Sequence, residues 1–206
     1  MSASRLVLAA AALAAALSLA SSLSLASTAP GPDAVLRELS GALDARDAGR
    51  VLACFTRDAR VHYARVLDVA RRGEPAAATA GFSYSDRALA RALKRRKPEL
   101  LAKARNLDAL AVLAAGERKD WDSEMKRVAV DAVETGSGRA QGTLSVDGAP
   151  VPIALSLARE DGRWRIDRVS SPLLAPEAVR LGSAVLGVSE EQTIDTIVDR
   201  LLTPAR

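Results

Sequence analysis

The 206-residue sequence predicts an α+β fold, with N-terminal helices packed on a curved antiparallel sheet. Three observations carry this. Apolar residues recur at helical spacing between Val35 and Ala114. From Val128 to Ile166 the period drops to two, with Asp-Gly turn signals at Asp147 and Asp161. Past Pro172 the helical period returns. Helices grouped before a meander bury their apolar stripes against one face of the sheet.

The elements follow in order. After Arg5 comes the apolar run "LVLAAAALAAALSLA", the length of a secretory h-region, and Ser24 and Ala26 supply the small residues of a cleavage site. Residues 1–26 are therefore read as a signal peptide and the protein as exported, periplasmic or secreted. An uncleaved anchor would need about 20 apolar residues. No later run is long enough to span a membrane. A linker, residues 27–32, leads to a single α+β domain over 33–172. That domain carries a helical insertion at 73–122, and a C-terminal helical extension covers 173–206.

Asp33 is placed to cap a first helix bearing Val35, Leu36, Leu39, Ala42 and Leu43. Asp47 is placed to cap a short second one with Val51, Leu52 and Phe55. Arg60 to Ala70 fits both periods. As a strand it would send His62 and Tyr63 to opposite faces. Gly73 to Asp86 reads as loop, with Ser85 or Asp86 capping the next helix. Pro98 opens another helix, whose face runs from Leu100 to Ala114 and ends near Gly116. Four apolar rows then form the meander: Val128–Ala132, Ala140–Val146, Val151–Leu157 and Trp164–Ile166. Ser189 and Gln192 form a capping box before the stripe Ile194, Ile197, Val198 and Leu201. That stripe reads as a helix packed on the domain, with a partner or homodimer helix as the alternative.

Charge is unevenly placed. The formal net charge is +4. Arg87 to Arg105 holds eight basic residues and one acidic residue. Its centre, Arg91, Lys94, Arg95, Arg96 and Lys97, reads as a solvated face, or else as a patch for an anionic surface. Nucleic acid is disfavoured, because no aromatic residues interleave the basic ones and the chain reads as exported.

The chemistry-bearing residues are few. Cys54 is the single cysteine, which excludes an intrachain disulfide. Its box "VLAC" follows a charged stretch, so Cys54 reads as a buried apolar residue. His62 is the single histidine, and no metal-ligand spacing occurs, so neither metal nor cofactor is expected. A phosphate loop and a serine nucleophile elbow are also missing from the sequence.

Two stretches, "LDARDAGRVLACFTRDARVHY" (Leu43–Tyr63) and "EDGRWRIDRV" (Glu160–Val169), flank the helices and strands. In this order they resemble the nuclear transport factor 2-like (cystatin-like, SnoaL-like) superfamily, as an exported bacterial-type member with an enlarged helical middle. In the resemblance, "F-T-x-D-A" leads into the family's first strand and the second stretch closes its last hairpin. The chain departs from the pattern at Gly73–Asp122 and beyond Pro172. The resemblance implies a cone enclosing a cavity, in a family spanning isomerases, dehydratases and binding modules. It makes Asp58 and His62 candidates for a catalytic pair. Tyr63 and Tyr84 are the tyrosines such a pocket would use. Trp121 and Trp164 are candidates to floor a pocket, against core packing.

The first functional expectation is an exported module that binds a small molecule or protein without catalysis. The second is a lyase or isomerase with an Asp/His pocket. The third is a structural envelope protein held by its basic helix.

Overall fold

A computed structural model describes residues 31–72, 81–96, 98–116 and 128–202. Residues 1–26, read above as a signal peptide, most of the expected linker, residues 73–80 of the expected loop, Lys97 and Trp121 lie outside the described residues. The fold is α+β, with helices on both sides in sequence of a four-stranded antiparallel sheet.

The helices are α1 (Ala34–Asp44), α2 (Ala48–Ala53), α3 (Arg57–Arg72), α4 (Tyr84–Arg96), α5 (Pro98–Lys103) and α6 (Leu107–Gly116). The sheet is β1 (Val128–Gly136), β2 (Arg139–Val146), β3 (Ala149–Glu160) and β4 (Arg163–Ser170), in that spatial order. A 3₁₀ turn (Pro172–Leu174), α7 (Pro176–Leu186) and α8 (Glu190–Leu202) follow.

Arg60 to Ala70 is helical, which corrects the reading of "F-T-x-D-A" as the lead-in to a strand. Local and tertiary causes agree. The Thr56 hydroxyl caps α3 by accepting from Ala59 N at 3.0 Å. Ala59, Tyr63, Val66, Leu67 and Ala70 are buried at helical spacing. What survives of the strand is one parallel bridge between Phe55 and Ile166. There Thr56 N donates to Ile166 O at 2.9 Å, and Ile166 N to Cys54 O at 2.8 Å. This stitches the helical layer to the edge of β4.

The capping expectations divide. Asp47 accepts from Arg50 N at 3.0 Å and caps α2. Asp33 makes no capping bond and pairs with Arg37 one turn on. For α4 the cap is Ser83, not Ser85 or Asp86. Asp86 N donates to Ser83 Oγ, and Ser83 N to Asp86 Oδ2, each at 3.1 Å. That is a reciprocal capping box with Asp at its third position. The single helix expected from Pro98 to Gly116 is two, because Asn106 Oδ1 accepts from Ala109 N at 2.8 Å and starts α6 afresh.

The meander matches its alternation. Ala140, Leu144, Ile153, Leu155, Leu157, Trp164 and Ile166 are buried on the helix-facing side. Asp161 and Gly162 have φ of 52° and 75°, the two left-handed residues of a type I′ hairpin. One continuous core joins α1–α6 to the sheet. A second, smaller one unites Ala88, Ala92, Leu174, Val179, Ile194 and Val198. Packing of the α8 stripe on the domain is thus observed, through Ile194 and Val198. The principal contacts of α8 are with α4, α7 and the 3₁₀ turn. Among the described residues no helix is long and apolar enough to cross a membrane.

Candidate functional site

Three places bring polar side chains together. The first lies between α3 and α4. Its helical form puts His62 about 100° round the helix from Tyr63, so both turn partly inward. His62 Nε2 bonds Asp86 Oδ1 at 2.8 Å, with both side chains largely buried. Asp86 Oδ2 accepts from the Ser83 hydroxyl at 2.7 Å. The imidazole lies edge-on to Tyr63 and Phe82, at centroid distances of 5.3 and 5.9 Å. Asp58, the acid expected to partner His62, is exposed in the first turn of α3 and does not bond it. The partner is Asp86, missed because 24 residues separate the two in sequence. Its signal was the S-x-x-D capping pattern at Ser83.

The expected pocket aromatics scatter. Tyr63 Oη accepts from Val169 N at 2.8 Å, bracing α3 against β4. Burial pushes its phenol well above the ordinary value of 10.0. Tyr84 faces the C-terminal hairpin and bonds Glu190, which raises its pKa. Trp164 belongs to the main core, with Arg159 5.4 Å from its ring centroid. Its indole Nε1 has no partner among the described residues. Trp164 is therefore a core residue, and none of these three side chains lines the groove described below. Cys54 is buried, as expected. Burial first, then Glu38, pushes its thiol up to about 12.

The second place is the basic face of α4. Three of its arginines are paired within the chain. Arg87 meets Glu191 at 2.8 Å, and Arg91 bonds Glu191 and approaches Asp195 at 3.6 Å. Arg95 meets Asp195 at 2.6 Å and Asp199 at 2.7 Å. The matched four-residue spacing of Arg87, Arg91, Arg95 and of Glu191, Asp195, Asp199 puts each set on one helix face. For Glu191, burial raises the pKa, but the Arg91 and Arg87 guanidiniums together hold it below the ordinary 4.5. Of the expected patch, Arg91 and Arg95 are thus engaged within the chain. Lys94 is exposed, and the side chain of Arg96 lies outside the described part.

The third place is an open groove of about 520 Å³ where α3, α4 and α5 converge. Its lining is Asp68, Ala70, Arg71, Arg72, Lys94, Pro98, Leu101 and Ala102. Arg72 pairs with Asp68 at 2.6 Å, and Arg71 donates to Arg105 O at 3.1 Å. Among the described residues Lys94 makes no ion pair. The apolar floor and cationic wall suit a molecule with an apolar body and an acidic group. Sequence reasoning found Lys94 but not Arg71, Arg72 or Leu101. The basic pair closing "LDVARR" was the available signal.

Among the described residues no three His, Cys, Asp or Glu side chains gather as metal ligands. No protein-family model matches the chain, and no curated protein matches it.

Proposed function

We propose that this chain is an exported binding module of the nuclear transport factor 2-like kind, and that its groove takes a small anionic molecule with an apolar part. The observation that carries the reading is Lys94 and Arg71 set beside Leu101 and Ala102 in a 520 Å³ groove. Among the described residues neither Lys94 nor Arg71 makes an ion pair, so an incoming carboxylate or phosphate has a charge to meet. Support for export comes from the N-terminal apolar run with its small-residue cleavage site. The helix-then-meander order and the closing hairpin at Asp161-Gly162 support the family kinship, while the helical Arg60 to Ala70 departs from the family pattern. Native mass spectrometry of the purified chain, followed by a thermal-shift screen of amphipathic acids, tests the binding. The expected outcome is stabilisation by such acids that Lys94→Glu removes. Stabilisation equal in wild type and Lys94→Glu counts against the groove.

A second reading is a lyase or isomerase with His62 as general base. The observation favouring it is the Asp86–His62 bond, which leaves Nδ1 with no bond to a described residue. Against it, the pair already ties α3 to α4, and the groove has neither residue in its wall. Loss of turnover in His62→Gln, on any substrate found, would promote this reading. Attachment to an envelope through the basic helix has less support, since Arg91 and Arg95 already face acids.

A further inference from the structure

Given the groove as the binding site proposed above, its charges narrow the class of ligand. Four of the lining residues are charged: Asp68, Arg71, Arg72 and Lys94. Two of them cancel. Arg72 Nε and Nη2 reach the two oxygens of Asp68, at 3.0 and 2.6 Å. The other two are cations on different helices, Arg71 on α3 and Lys94 on α4. Among the described residues neither makes an ion pair. The Arg71 guanidinium is held by a neutral partner, the Arg105 carbonyl, at 3.1 Å. Three cations minus one acid leave the lining at +2. A monoanion neutralises one of these two charges, and a dianion neutralises both.

The rest of the lining is apolar: Ala70, Pro98, Leu101 and Ala102. None of these side chains can hydrogen-bond, so a second polar group laid over them loses water without replacement. Both charges of the ligand therefore belong on one head group. A phosphate monoester has that form. It carries close to two charges at neutral pH, and its terminal oxygens diverge, so cations from two helices can meet it together. A carboxylate offers one charge and two oxygens in a single plane. We propose that the groove takes the phosphate monoester of an apolar alcohol, with the dianionic head between Arg71 and Lys94 and the hydrocarbon over Leu101 and Ala102. The volume of about 520 Å³ falls among those of small-molecule sites.

The test titrates the full chain calorimetrically with decyl phosphate, decyl sulfate and decanoate, each below its micelle concentration. Decyl phosphate passes from one charge to two near about pH 6. Decyl sulfate carries one charge throughout, so it reports any change in the protein itself. Between about pH 5 and about pH 8 the affinity for decyl phosphate should rise about tenfold relative to decyl sulfate, as one further charged contact forms. Lys94→Gln, at an exposed position, should abolish that rise, and Lys94→Arg should keep it. Parallel pH curves for phosphate and sulfate overturn the dianion while leaving an acid-binding groove in place. Binding of none of the three overturns the groove and this proposal with it. A rise that survives Lys94→Gln overturns the placement of the head group. Inorganic phosphate that binds as tightly as decyl phosphate assigns the site to the free ion. Capture of phosphatidate vesicles without binding of the monomer assigns it to a bilayer headgroup. Either result overturns a hydrocarbon held in the groove.

Discussion

Asp86 holds His62 across the α3–α4 interface at 2.8 Å while its other oxygen takes the Ser83 hydroxyl at 2.7 Å. One carboxylate thus completes the Ser83 capping box of α4 and anchors it to α3. Asp86→Ala leaves the Ser83 amide and the imidazole without their partner. It should destabilise the fold by about 2–3 kcal/mol in urea unfolding, a lost cap plus a lost charged bond. The exposed Asp58→Ala is the control and should lie within about 0.5 kcal/mol of wild type. Equal effects of the two would refute the anchoring role.

The Cys54 thiol is buried and its pKa is pushed up to about 12. At pH 8 it is therefore almost entirely protonated, and the thiolate is the reactive form. Iodoacetamide should label the native chain far more slowly than the chain in denaturant. Equal rates would mean that the α2–β4 junction is open.

Ile166 is fully buried and exchanges two backbone bonds with the Cys54–Thr56 segment. Ile166→Ala should cost about 3–4 kcal/mol by loss of core volume. Gly162→Ala, at φ 75°, should cost about 1 kcal/mol through backbone strain alone. A reversed order in denaturant midpoints would contradict this division between core and turn.

Glu191 is held below its ordinary pKa of 4.5 by Arg91 and Arg87, against its own partial burial. A depressed carboxylate contributes its stabilisation fully above 4.5 and loses it as pH falls through the folded value. Amide exchange in α7 and α8 should therefore accelerate on acidification in that window, ahead of the main core. Glu191→Gln should flatten this acid response, and added salt should mimic it in wild type at neutral pH. Uniform acceleration across both cores would rule out a separate hairpin response.

Much of this architecture is local and was readable in the chain. The hairpin turn at Asp161-Gly162, the alternation of the strands, and the Ser189–Gln192 box each depend on neighbours a few residues away. In that box Ser189 N donates to Gln192 Oε1 at 2.9 Å and Gln192 N to Ser189 Oγ at 3.2 Å. The fully buried Ile194 was likewise visible as part of a stripe.

Arg60 to Ala70 shows where local information ends. Val61 and Tyr63 alternate as a strand would, yet Val61 is exposed and Tyr63 buried on a helix. The Thr56 cap and the burial of Val66 and Leu67 against other elements decide between two periods that the residues satisfy almost equally.

The sequence by itself determined the α+β order, the turns, the caps at Asp47 and Ser189 and the apolar faces, because these arise from spacing and from short-range hydrogen bonding. Tertiary structure alone decided that His62 meets Asp86 rather than Asp58, and that Arg71 and Lys94 share a groove. It also decided that Arg91 and Arg95 are spent on Glu191 and Asp195, about 100 residues away. A charge carries no mark of its partner along the chain. Which cations are neutralised and which stay available follows from where packing brings the helices together.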